Sequence, residues 1–174
     1  LAPDGVLVRH WGGLVHFSKS SAATQVHGDF SLNVTNSVTA RHLLALGCDP
    51  LTAAHDLDET QLHAMLARLP AERVTVTVHH HTAPFHTEHC VYAHTISQGR
   101  DFRTCGRPCE SSQIALKDRE GKAHPVVVDI GCRNTVFNAQ AQSAAAAVPK
   151  LLRAGVRRFR VEFVWEDGET CPAS

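Results

Sequence analysis

Residues 72–81 read ERVTVTVHHH, and this run decides the fold. Val74, Val76 and Val78 alternate with Thr75, Thr77 and His79, a period of two that gives an extended strand one apolar and one polar face. The polar face continues to His81, so the strand delivers histidines at its C-terminal end. Upstream, DGVLVRH (4–10), GDFSLNV (28–34) and PLTAAH (50–55) read as three further strands. Between them TNSVTARHLLALG (35–47) reads as a helix, with Thr35 or Asn36 as N-cap, Ala40, Leu43 and Leu44 on one face and Gly47 as its stop. DETQLHAMLARLP (58–70) reads as a second, because Asp58 and Gln61 have capping-box spacing and Leu62, Met65, Leu66 and Leu69 form a stripe that ends at Pro70. WGGLVHFSKSSAATQVH (11–27) is too rich in Gly and Ser to assign as a helix.

Alternating strands and helices imply parallel strands joined by crossovers, in an open doubly wound sheet or in part of a (β/α) barrel. The strand ends favour the barrel. His10, Asn33 with Asn36, His55 with Asp56, and His79 to His81 stand where a barrel carries its active-site face. Asn36 and Asp56 also suit helix capping. On the barrel reading His79 and His81 face the lumen. The last strand, RRFRVEFVW (157–165), repeats the alternation and points Arg160 and Glu162 inward as a charged, substrate-binding pair.

With 174 residues, of which 43% are hydrophobic, the chain suffices for one domain, 1–174. Seventeen basic side chains balance seventeen acidic ones, so any RNA would be held by a local basic patch and not by an overall field. No apolar run reaches membrane-spanning length and LAPDGVLVRH lacks the features of a secretory signal, which leads us to expect no membrane partner and a cytoplasmic setting. A start on Leu1 and an end on ETCPAS lead us to expect a segment of a longer polypeptide. AQAQSAAAAVPKLLRAG (139–155) reads as helical, with Pro149 near the start of its final turns.

Six cysteines in a reducing compartment point to ligands, nucleophiles or core residues before disulfides. Cys48, after a helix end, and Cys171, near the C-terminus, read as ordinary small residues. Cys90, Cys105, Cys109 and Cys132 differ, because they stand among Gly, Pro, Arg and His. The first three lie in a Cys/His-rich loop, 82–111. The fourth ends an inserted β-hairpin, 112–132, turning at Gly121, which carries it back toward that loop. The gaps of fourteen, three and twenty-two residues depart from the paired C-x-x-C of a zinc ribbon and suit an iron–sulfur cage better. Zinc stays open, with His86 and His89 as further donors.

FHTEHCVYAHTISQGRDFRTCGRPCE (85–110), LKDREGKAHPVVVDIGCRNTVFNAQAQS (116–143) and SLNVTNSVTARHLLALG (31–47) resemble the collagenase-like U-32 peptidase family, roughly from Asp4 to Trp165. The resemblance implies the C-terminal portion of a (β/α) TIM-type barrel, its missing N-terminal half supplied by the rest of a polypeptide or by a partner subunit. It further implies a 4Fe-4S cluster on Cys90, Cys105, Cys109 and Cys132. For activity it implies either peptide hydrolysis or oxygen-independent hydroxylation of RNA or a small aromatic compound with prephenate as hydroxyl donor. The segment VHHHTAPFHTEHC (78–90) departs from the shorter His-Gly segment of many members.

The residues themselves offer no hydrolytic constellation: neither G-x-S-x-G nor HExxH occurs, and His89 beside Cys90 points away from it in extended chain. A hydroxylase that takes a dianionic co-substrate would draw its carboxylate clamps from Arg133 and one of Arg100, Arg103 or Arg107. His79 and His81, with His86 or Glu88, would move protons. Asn33, Asn36 and Asn134 would orient an aromatic or nucleobase edge. A zinc-stabilised binding module is the non-catalytic alternative.

Overall fold

The computed structural model describes residues 3–20 and 24–165. Cys171 lies outside the described residues. The chain divides into two compact units, one comprising Leu1–His79 with Ser143–Glu162, the other His80–Gln142 with Phe163–Ser174.

The first unit is built on parallel strands β1 (Gly5–Val8), β2 (Gln25–Gly28), β3 (Cys48–Thr52) and β4 (Val74–His80), with helices α1 (Trp11–Ser20), α2 (Ser37–Ala45) and α3 (Glu59–Leu66) in the crossovers. Each helix starts where a polar side chain satisfies its first N–H groups. Asn36 Oδ1 accepts from Val38 and Thr39 N–H at 3.0 and 2.9 Å, and Asp58 and Gln61 form the reciprocal capping box. Gly47, at φ 85°, ends the connection after α2 in the left-handed region. On β4, Val74, Val76 and Val78 are buried and join Leu43, Leu51, Leu66 and Val34 in the core, as the alternation requires.

Two readings of this half are corrected. Residues 28–34 are not a strand, because Phe30–Leu32 form a 3-10 turn capped by Asp29, whose Oδ1 accepts from Phe30 N–H at 2.9 Å. The strand lies earlier, at Gln25–Gly28, where buried Val26 and Gly28 alternate with Gln25 and His27. Trp11–Ser20, left unassigned for its glycines, is a helix that buries Leu14.

Past the second unit the chain returns through a short bridge β9 (Gln142–Ser143), a 3-10 turn at Ala145–Ala147 and helix α5 (Val148–Arg153). Pro149 sits in the first turn of α5, where its missing N–H costs nothing. The closing strand β10 (Arg158–Val161) pairs with β4 in parallel. The order β1-β2-β3-β4-β10 follows the chain without reversal, with everything between β4 and β9 inserted. In a flat sheet β2 and β10 would lie about 14 Å apart, three strand spacings. Arg160 of β10 nonetheless reaches Asp29, just past β2, with Nη1 2.5 Å from Oδ1, so the sheet curls.

The second unit holds the antiparallel sheet β5 (Phe85–Thr87), β6 (Ile114–Lys117), β7 (Ala123–Val128) and β8 (Asn134–Val136) in the order β5-β8-β7-β6, with helix α4 (Val91–Thr95). β6 and β7 are the expected hairpin, turning at Gly121 with φ 87°. Segment 82–111 is not all loop, since β5 and α4 lie within it. Among the described residues no helix is long and apolar enough to cross a membrane.

Candidate functional site

The second unit has a small core of its own, Tyr92, Val126 and Val136, and Cys90 and Cys109 pack against it. Tyr92 pins three segments together: its hydroxyl donates to Val126 O at 2.8 Å and accepts from Ile114 N–H at 3.2 Å. Cys90 is the N-cap residue of α4. Asn134, fully buried, ties that helix start to the fourth cysteine. Its Oδ1 accepts from Val91 N–H at 2.9 Å and its Nδ2 donates to Cys132 O at 3.1 Å.

Cys132 stands on a closed turn organised by Asp129. The Asp129 carboxylate accepts from Gly131 N–H at 2.8 Å and Arg133 N–H at 3.0 Å, while Cys132 N–H donates to Asp129 O at 3.0 Å. Within this turn Cys132 takes φ 60°, a left-handed conformation that costs a side-chain-bearing residue about 1 kcal/mol or more. Between Cys105 and Cys109 the chain is left-handed again, at Gly106 (φ 67°) and Arg107 (φ 51°). Gly99 lies so close to the backbone of Thr104 and Cys105 that no Cβ fits there.

The four thiols are free and half-buried, and Cys132 feels the charges of the other three. Desolvation pushes the Cys132 thiol above its ordinary range, and the charges of Cys90, Cys105, Cys109 and Asp129 push it further. Among the described residues no three His, Cys, Asp or Glu side chains close on a position for one metal ion.

Four of the remaining predicted residues of this unit, Arg133, Arg107, His86 and His81, have protein partners. Arg133 is committed to Asp129, with Nε and Nη2 each 2.8 Å from Oδ2, and feels Glu88 as well. Against the opposing effect of desolvation, Arg133 and the turn's N–H groups hold the Asp129 carboxyl below its usual range. Arg107 pairs with Glu110 at 3.2 Å. His86 is 3.0 Å from Thr135 Oγ1. His81 is buried, donates from Nδ1 to Asn138 O at 2.8 Å and packs on Trp165 with ring centroids 4.0 Å apart.

In the first unit Asn36 is engaged as the α2 cap and Asn33 closes the 3-10 turn with φ 56°. His79 ends the part of β4 in this unit, and its carbonyl accepts from Glu162 N–H at 2.9 Å. Arg160 and Glu162 do pair, Nε to Oε1 at 2.7 Å. Two partners of theirs escaped the sequence reading. Asp29, fully buried, lies between Arg160 and Arg9, and Arg9 Nε is 2.9 Å from Asp29 Oδ2. No N–H is aligned on that oxygen, so the Arg9 contact is Coulombic. Phe30 stacks on His55 with centroids 4.2 Å apart, and His55 Nε2 is 3.2 Å from Thr77 Oγ1. Arg9 and Asp29 follow β1 and β2 directly, a signal hidden when residues 28–34 were read as a strand.

The model of peptidase family U32 matches residues 1–170. No curated protein and no solved structure matches the chain.

Proposed function

Because the chain belongs to peptidase family U32, we propose that it binds a 4Fe-4S cluster through Cys90, Cys105, Cys109 and Cys132 and serves an oxygen-independent hydroxylation, with prephenate as hydroxyl donor and RNA or a small aromatic compound as acceptor. What supports this reading is that Asn134 ties the start of α4, after Cys90, to Cys132, and that Cys132 feels the charges of Cys90, Cys105 and Cys109. Backbone strain at Cys132 and Arg107 is kept where the surrounding hydrogen bonds over-determine it, a habit of functional sites. The charges of Cys90, Cys105 and Cys109 oppose ionisation of Cys132, and a cationic core would reverse that opposition. The gaps of fourteen, three and twenty-two residues depart from the paired C-x-x-C of a zinc ribbon, which favours the cluster over zinc.

When bound, the cluster would supply one-electron redox chemistry. The protein's part is to aim its ligands: Asn134 and Asp129 hold the Cys132 turn, and the Tyr92 core shields Cys90 and Cys109 from water. His79, His81, His86 and Glu88 remain the proposed proton carriers. We read the curled parallel sheet as an arc of a (β/α) barrel, to be completed by further strands of the polypeptide or by a partner subunit. Free cysteines accord with a cytoplasmic setting.

Anaerobic purification tests the reading. The chain should be brown and hold iron and sulfide, and Cys105→Ala should lose both. Colourless protein with stoichiometric zinc that unfolds with chelator would replace it by the binding module, and iron-independent cleavage of denatured collagen by the peptidase.

A further inference from the structure

The polar cluster of the first unit contains an arginine whose working end is uncommitted. Arg9 follows β1, and its backbone is anchored by Ser31, whose hydroxyl donates to Arg9 O at 2.7 Å. The Asp29 carboxylate holds its Nε side by charge, and the Phe30 ring supports the guanidinium carbon 5.5 Å from the ring centroid. Phe30 is itself backed by His55, so the guanidinium rests on a stack of two rings. The Nη groups carry no hydrogen bond among the described residues, and the side chain is 62% exposed.

Its companion arginine is spent differently. Arg160 divides its guanidinium between Asp29 and Glu162, and its side chain is 29% exposed. Of the two cations at these strand ends, one neutralises the buried Asp29 and the part-buried Glu162 while the other turns its donors to solvent. A guanidinium oriented from behind loses little freedom when its Nη pair accepts a planar oxyanion. The C-terminal ends of parallel strands are where α/β proteins bind small molecules.

We propose that Arg9 is the carboxylate-binding residue of a small-molecule site at the C-terminal edge of the parallel sheet, its guanidinium pre-oriented by Asp29 and Phe30 for the acid group of a small organic anion whose apolar body lies along the aromatic stack. The site lies wholly in the first unit, so it stands whether or not the thiols hold a cluster. It names an acid-binding residue in place of Arg133 and Arg107, which are held by Asp129 and Glu110.

The test is a titration of the whole chain, under reducing conditions and without added iron, with sodium benzoate and separately with inorganic phosphate, followed by the NMR signals of Arg9 Nε and the Phe30 amide. Benzoate should shift both signals saturably. Arg9→Gln should weaken binding at least tenfold, and Arg9→Lys, which keeps the charge without the fork, should fall between. Phe30→Leu should weaken it severalfold while the charge remains, and Arg119→Gln, in the hairpin turn, should bind as the parent does. Circular dichroism of each variant should match the parent. Equal benzoate affinity in Arg9→Gln, no saturable shift in the parent, or saturation by phosphate alone would each overturn the proposal. Iron and sulfide content, measured on separate anaerobic material, reports on the cluster reading and does not enter this outcome.

Discussion

Asn134 and Cys132 are joined by a hydrogen bond from the buried amide to the cysteine carbonyl at 3.1 Å, and the other end of the same amide accepts from Val91, the residue after Cys90. One side chain thereby sets the separation of two thiols forty-two positions apart in the sequence. Replacing it by Leu leaves a buried N–H and C=O without partners, each costing about 1–3 kcal/mol. Asn134→Leu should lower stability by about 2–4 kcal/mol in urea unfolding and reduce iron uptake in anaerobic reconstitution. Full iron loading of that variant would show that the clasp does not set the thiols' spacing.

Gly99 makes a similar demand through bulk. A methyl group there overlaps the backbone of Cys105, which has no flexible end to move aside. Gly99→Ala should displace Cys105 and, on the cluster proposal, reduce iron uptake. Labelling with a thiol reagent checks this, since the displaced Cys105 should react faster than in the parent.

Tyr92 links α4, β6 and β7 through its hydroxyl as well as through the packing of its ring. Tyr92→Phe keeps the ring and leaves Val126 O and Ile114 N–H unpaired, at a cost of about 1–3 kcal/mol. Hydrogen exchange should speed up at Ile114 while the amides of β3 keep their protection.

Arg160 is the inner countercharge of the fully buried Asp29. Arg160→Met leaves that carboxylate with the Phe30 N–H bond and the Coulombic contact of Arg9, and should destabilise the chain by about 3 kcal/mol. A second substitution, Asp29→Asn, should recover part of the loss, which a double-mutant cycle in denaturant measures.

Cys48 is a buried thiol in β3, and burial, with Asp49 adding to it, raises its pKa from 9.0 to about 11. A raised folded-state value means that the native state holds its proton longer than the unfolded chain. The contribution is therefore fully present below pH 9.0 and is lost as pH climbs through about 11. Two pH units correspond to about 3 kcal/mol. The stability of Cys48→Ala should fall less steeply than the parent's between those limits, as denaturation at stepped alkaline pH would show.

The local periodicities were legible without coordinates. The alternation on β4, the Asp58 capping box, the Asn36 cap and the Gly121 hairpin all rest on near-neighbour geometry, and each formed as read. The reading failed where two local patterns competed. Phe30, Leu32 and Val34 alternate like a strand, yet a buried Asp29 takes the Phe30 N–H and turns the chain into a 3-10 helix. The glycines of α1 outweighed its apolar spacing on paper, and packing of Leu14 reversed that.

By itself the amino-acid order determined the strand and helix alternation, the helix caps and the hairpin at Gly121, because each depends on spacings of a few residues. Only the tertiary structure decided which charges are spent and which are available. Arg133 and Arg107 find carboxylates within four residues, whereas Arg9 meets Asp29 across the paired strands β1 and β2 and Arg160 reaches it through the curl of the sheet. Ion pairing follows distance in space, and side chains far apart in sequence are made neighbours by the packing of the core.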